Sequence, residues 1–173
     1  MSTQPQPSAQ SPHMLDFISH SPAQTIRVGQ RLGELLQQGD LVLLLGEFGA
    51  GKTHFVKGIA QGLGSDDLVT SPSFVLMNEY RAGAERKRMP IYHTDLYRIE
   101  ASAELEGIGL DNALGGDGVC IIEWAERAQD WLPLEHVAVH LRHLSETKRV
   151  LRFVPRGERY ETLVDALKRA AFA

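Results

Sequence analysis

Gly46, Gly51, Lys52 and Thr53 fill the spacing G-x-x-x-x-G-K-[ST], with Glu47, Phe48, Gly49 and Ala50 between the outer glycines. Each fixed position has a task against a phosphate. Glycine admits backbone conformations that a Cβ forbids, so successive N–H groups can turn inward toward an anion. The Lys52 ammonium reaches the outer phosphates, and the Thr53 hydroxyl ligates a magnesium ion that bridges them. A helix opening at this point sets its positive dipole end beneath the same charge. The pattern predicts a nucleotide-binding phosphate loop.

Two carboxylates stand where such a loop needs them. Gly118 to Ile122 is apolar and closes on Glu123. A nucleoside triphosphatase places an acidic strand end opposite its phosphate loop; Asp is usual there, and the longer Glu can ligate magnesium directly or through water. Asp95 ends the run from Met89, where it either orients a water for catalysis or caps the chain that follows. Val69 to Ser73 surrounds Pro72 with hydroxyls, which suits an approach to the outer phosphate and equally a turn entering a strand. Trp124 is assigned to the core rather than to nucleotide. Glu100, Glu104 and Glu106 read as solvated helical surface. The seven histidines are scattered without metal-ligand spacing, and His54 and His93 are only secondary candidates for a catalytic role.

The elements that must position these residues are legible in part. Leu41 to Leu45 is an unbroken apolar run, as in a strand covered on both faces of a parallel sheet. Phe55, Val56, Ile59, Ala60 and Leu63 then recur at helical spacing up to Gly64, a helix stop. Upstream, Leu15 to His20 predicts a short edge strand, and Ser21-Pro22-Ala23-Gln24 a capped helix start with a reciprocal Gln. That helix carries Val28, Leu32, Leu35 and Leu36 and is expected to end at Gly39. Phe74 to Tyr80 and Met89 to Asp95 predict a hairpin whose tip, Arg86-Lys87-Arg88, is solvated; Val137 to Leu141 and Val150 to Val154 predict another. Short turns of helix are expected over Ala103 to Glu106 and Leu110 to Leu114, and a C-terminal helix carries Leu163, Val164, Leu167 and Ala171. The fold class is α/β, a phosphate-loop nucleoside triphosphatase with a mixed sheet of parallel core and antiparallel hairpins flanked by helices.

The whole chain sets outer bounds. Its 173 residues suit one domain over residues 13–173, preceded by a loose tail over 1–12 that is rich in Pro, Gln and Ser. A net charge of −4 without a dense basic run argues against a large footprint on nucleic acid. The single cysteine, Cys120, excludes an internal disulfide, fits a reducing compartment and reads as a buried small residue. No window reaches the roughly twenty apolar residues of a membrane span, so the expected location is the cytoplasm.

The segments GEFGAGKTHF, SPSFVLMNEY, IYHTDLYRI, ELEGIGLDN and CIIEWAERA, the last followed by LP, resemble in order and spacing those of the bacterial TsaE family, also called YjeE, over Thr25 to Val154. The resemblance implies a small cytoplasmic ATPase, with ATP and Mg2+ as cofactors, needed for threonylcarbamoylation of the adenosine beside the anticodon in certain tRNAs. It implies action with the TsaB and TsaD proteins, on threonylcarbamoyl-adenylate made by a TsaC-type enzyme, with tRNA met only indirectly through the complex. Thr53 and Glu123 match the family's magnesium ligands, Asp95 its essential acidic position, Lys52 its loop lysine, and Thr25 a threonine near the nucleotide. Glu47 and Phe48 replace the commoner Asp-Leu, His54 the usual Thr, and Ser73 a Thr.

Two other functions fit the loop itself. A small-molecule kinase needs an arginine-bearing lid, for which only Arg86 to Arg88 offer themselves. A nucleotide-dependent binding module needs only a conformation selected by ATP. No arginine is placed by the sequence to neutralise charge on a transferred phosphoryl group.

Overall fold

A computed structural model describes residues 12–171. The expected tail lies outside the described residues except for Pro12, whose carbonyl accepts a hydrogen bond from Lys168 Nζ at 2.9 Å. Among the described residues, strands β1 (Leu15–Ser19), β2 (Leu41–Leu45), β3 (Met77–Arg81), β4 (Pro90–Asp95), β5 (Val119–Glu123), β6 (His136–His143) and β7 (Arg149–Arg156) form one sheet. Its order is β1-β7-β6-β2-β5-β4-β3. The four central strands, β6, β2, β5 and β4, run parallel, and β1, β7 and β3 pair antiparallel at the borders. Both expected hairpins are present, and so is the mixed sheet they imply.

Helices α1 (Pro22–Leu35), α2 (Lys52–Gly62) and α5 (Glu158–Ala171) share a core with one face of the sheet. The short α3 (Ala103–Gly107), α4 (Leu110–Ala113) and a 3-10 segment (Ala125–Trp131) share a second core on the other face. β2 feeds both: Val42 and Leu44 belong to the first core, Leu41 and Leu43 to the second.

α1 starts as its sequence predicts. The Ser21 hydroxyl accepts the Gln24 N–H, a cap worth about 1 kcal/mol, with Pro22 in the first turn. The reciprocal bond reaches one residue further back than a capping box would, to the His20 N–H at 2.8 Å. α1 and α2 then touch backbone to backbone through glycines. A Cβ at Gly58 would lie 2.0 Å from the Ile26 carbonyl oxygen, and one at Gly33 would lie 2.2 Å from that of Ile59. The contact fixes the axis of α2, whose first turn holds the phosphate loop.

Three expectations are corrected. α1 stops at Leu35, not Gly39; Gly39, at φ 92, turns the chain and donates to the Gly118 carbonyl, so its left-handed conformation serves a loop between helix and strand. β3 begins at Met77, not Phe74, because the Leu76 N–H closes a turn on the Pro72 carbonyl and Phe74 and Val75 face solvent at 85% and 65% exposure. The tip of the first hairpin is solvated at Lys87 and Arg88 as expected but anchored at Arg86, which donates to the carbonyls of Leu36 and Glu34 at the end of α1, both at 2.7 Å. These carbonyls have no partner further along the helix, which is why a guanidinium is well placed there. Arg86 is thereby withdrawn from any lid.

Gly58→Ala should lower stability by about 2 kcal/mol in a denaturant titration, since the overlap with backbone outweighs roughly 1 kcal/mol of improved helix propensity. Gly107→Ala, where an added Cβ meets nothing within 4 Å, should leave the midpoint unchanged or raise it. Equal midpoints for the two variants would refute a tight helix contact.

Candidate functional site

The loop between β2 and α2 is built on three glycines with positive φ: Gly46 at 152, Gly49 at 74 and Gly51 at 99. At Gly46 space as well as dihedral excludes a side chain, because a Cβ would sit 2.4 Å from the Leu141 carbonyl oxygen. Gly51 is the N-cap of α2, and Lys52 is that helix's first residue. The Lys52 ammonium donates to the Gly46 carbonyl across the loop. Its Nζ also lies 4.3 Å from the centre of the Trp124 ring and 5.9 Å from that of Phe48. Burial lowers the Lys52 pKa, opposed by the charges of Glu123, Asp95 and Glu126.

A cleft of about 570 Å³ opens over this loop. Its lining includes Thr25, Phe48, Gly49, Gly51, Lys52, Thr53, Asp95 and Glu123 among the sequence candidates. Gly46, Glu47 and Ala50 face elsewhere: they border a neighbouring hollow with His140 and Arg142. Thr25 is buried, its hydroxyl 2.8 Å from that of Ser19. Asp95 and Glu123 are each 3% exposed and stand side by side in the register of β4 and β5.

The two carboxylates differ in their partners. Asp95 Oδ1 accepts the Tyr97 N–H at 2.9 Å, the capping role, while Oδ2 accepts the Ser73 hydroxyl at 3.3 Å. Glu123 Oε1 is 2.8 Å from His93 Nε2. Among the described residues, neither the Thr53 hydroxyl nor Glu123 Oε2 has a protein hydrogen-bond partner. A neutral and an anionic oxygen beside a phosphate loop form the sparse donor set that a magnesium ion takes when phosphate and water complete its octahedron. No group of three or more His, Cys, Asp or Glu suited to a metal occurs among the described residues.

The tertiary structure adds residues to this lining. Trp124, assigned to the core from sequence, lies between core and cleft: it adopts φ 56 and lines the cleft. Its ring packs with Phe48 and Tyr97 at centroid distances of 5.3 Å and 5.0 Å. Ser71 and Ser73 reach the cleft, which favours the phosphate-side reading of that segment, although the turn is also real. His54 lines it from α2. Arg149, at the start of β7, enters as well, donating to the Gly49 carbonyl at 3.3 Å and to the carbonyls of Ser145, Glu146 and Lys148. The sequence offered no arginine for the site because Arg149 lies about a hundred residues from the loop and carries no motif. Cys120 is buried as expected, its thiol pushed up to about 12 by desolvation.

Among the described residues no helix is long and apolar enough to cross a membrane. Residues 19–151 match the family described as "Threonylcarbamoyl adenosine biosynthesis protein TsaE". The chain is 38% identical over 155 residues to the tRNA threonylcarbamoyladenosine biosynthesis protein TsaE of Bacillus subtilis, covering 90% of this chain and 94% of that one. It is 41% identical over 132 residues to the TsaE protein of Treponema pallidum, covering 76% and 94%. Its fold is similar to a crystal structure of YdiB from Bacillus subtilis, with a TM-score of 0.78 and 33% identity over 91% of this chain and 96% of that one. A phosphate loop set in a mixed seven-stranded sheet, with this likeness over most of the length, leads to one assignment: the chain belongs to the TsaE family of tRNA threonylcarbamoyladenosine biosynthesis proteins.

Proposed function

We propose that this chain is the ATP-binding and ATP-hydrolysing subunit of a tRNA threonylcarbamoylation system, acting with TsaB and TsaD and meeting tRNA only through them. The observation that carries the reading is the pairing of Asp95 and Glu123 in register at the ends of adjacent parallel strands, in the cleft lining that also holds Lys52 and Thr53. The loop N–H groups and the start of α2 bind the phosphates. Lys52 exchanges the Gly46 carbonyl for a phosphate oxygen, so its charge is spent on ligand only when ligand is present. Thr53 and Glu123 would hold a magnesium ion, which would supply neutralisation of charge on the phosphate oxygens. Asp95 orients the attacking water, with Ser73 and the Tyr97 N–H fixing its carboxylate.

The aromatic contact supplies a binding signal. In a Trp131→Phe background, ATP should change Trp124 emission as Lys52 leaves the ring face, and Lys52→Ala should abolish both the response and turnover. Unaltered affinity and turnover in folded Lys52→Ala would refute the phosphate-loop assignment.

The acids separate metal from chemistry. Glu123→Ala should raise the magnesium concentration needed for half-maximal binding, with partial recovery at high magnesium. Asp95→Asn should retain ATP binding and lose turnover. Hydrolysis by the pure chain should be slow and should rise on addition of the TsaB–TsaD pair, a positioning or charge-neutralising effect worth roughly a thousandfold in other phosphate-loop enzymes. Fast turnover indifferent to the pair would favour an autonomous enzyme such as a kinase, and a screen of phosphate acceptors would then identify it.

A further inference from the structure

His93 is wholly buried on β4, two residues before Asp95, and has no part in the binding scheme above. Its Nε2 lies 2.8 Å from Glu123 Oε1 and its Nδ1 3.2 Å from the Tyr80 hydroxyl on β3. That hydroxyl donates to the Thr70 carbonyl at 3.0 Å and accepts the Thr70 N–H at 3.3 Å. Asn78 Nδ2 reinforces the junction, donating to the Thr70 carbonyl at 3.0 Å and to the Tyr80 hydroxyl at 3.3 Å. Beyond Thr70 the chain becomes a wall of the cleft, where Ser73 donates to Asp95. A continuous polar line therefore joins one cleft carboxylate to the segment that touches the other.

We propose that His93 and Tyr80 are positioning residues that couple the Glu123 carboxylate to the Thr70–Leu76 wall of the cleft. The inference deepens the nucleotide-binding reading and rests on it only for what neutralises Glu123. A carboxylate accepts, so Nε2 carries a proton toward Glu123, and in the neutral imidazole Nδ1 is then the acceptor. The Tyr80 hydroxyl has one proton and two acceptors within reach, Nδ1 and the Thr70 carbonyl. A negative Glu123 polarises the ring and makes Nδ1 the stronger competitor, drawing that proton away from Thr70. Neutralising Glu123 returns the proton to the Thr70 carbonyl and tightens the wall. Burial raises the pKa of the Tyr80 phenol, so the proton that makes the choice stays on its hydroxyl oxygen at neutral pH. The wall is suited to respond, because Leu76 adopts φ 68 and Phe74 and Val75 face solvent, the Phe74 ring covered only by the Arg98 guanidinium at 4.6 Å.

A purely structural network would satisfy the same buried groups without transmitting anything, and a double-mutant cycle separates the two. In the ligand-free full chain, residue-resolved amide exchange is measured for Glu123→Gln, Tyr80→Phe and the double variant, each shown to melt cooperatively. Glu123→Gln should slow exchange at Thr70 to Leu76 by roughly two- to tenfold, the scale of one net hydrogen bond, and have no effect on these amides in the Tyr80→Phe background. His93→Gln, which keeps a donor for Glu123 and lacks Nδ1, should also abolish the response. No slowing in the parent background, or equal slowing in both, overturns the coupling. In a second arm, magnesium and a non-hydrolysable ATP analogue are added, with Trp124 emission reporting binding. The parent should bind and protect the wall, and Tyr80→Phe should bind without protecting it; equal protection overturns the coupling. Failure of the parent to bind overturns the nucleotide reading instead, and the ligand-free cycle still decides the coupling.

Discussion

Covering β2 on both faces is the constraint from which the rest of the structure follows. Leu41 to Leu44 are all buried, with alternate side chains delivered to two separate cores. A strand of this kind cannot sit at an edge or under a single layer. It requires β5 and β6 alongside it and helices above and below, and the chain must leave its end by a turn no bulky residue can make. Gly46 makes that turn, so the site inherits its rigidity from a strand buried at four of its five residues. The α1–α2 glycine contact completes the clamp by fixing the helix on the far side of the loop.

Electrostatics in the cleft is organised by desolvation rather than by paired charges. Lys52 is buried, yet its neighbours are a carbonyl and two aromatic rings, while Glu123 and Asp95, which favour its charged form, bond to other groups. An ammonium satisfied in this way is available to a phosphate without a salt bridge having to break. Two of the four non-glycine residues with positive φ among the described residues border the cleft, the other two being Lys87 and Arg88 at the hairpin tip. Trp124 and Leu76 are both non-glycine residues with positive φ, one ending the strand that carries Glu123 and one leading into β3. Such conformations persist only where the surrounding packing holds them, and they concentrate at working sites.

Rigid ties surround the parts that are free to respond. Arg86 fastens the first hairpin to α1, and Arg159 on α5 bonds the Asp40 carboxylate at 2.6 Å just before β2. Tyr160 accepts the Leu41 N–H from the same helix. Against this frame the Thr70–Leu76 wall packs on the second core through Leu76 and sets the Phe74 ring against Arg98, and its other attachments are hydrogen bonds to Tyr80, Asn78 and Asp95. Polar attachments of net strength near 1 kcal/mol each can be exchanged by a ligand, whereas the packed helices cannot.

The phosphate loop, the double-faced strand, both hairpins and the two acidic strand ends were legible in the sequence, because each is a local pattern: a spacing, an apolar run, an alternation, a terminal carboxylate. The capping of α1 was legible for the same reason, since Ser21 and Gln24 act within one turn. What touches the loop from a distance was not. Arg149 has no motif and reaches Gly49 only because β7 pairs with β6, which lies beside β2. Trp124 looked like core from its composition, and only the turn after Glu123 brings its ring to Lys52. His93 looked like a bystander until the β3–β4–β5 order set it between Tyr80 and Glu123. Sequence determines which residues can do chemistry by their type and immediate spacing; register and strand order decide which of them meet, because hydrogen bonds and ring contacts act over a few ångströms while the residues that make them lie tens of positions apart.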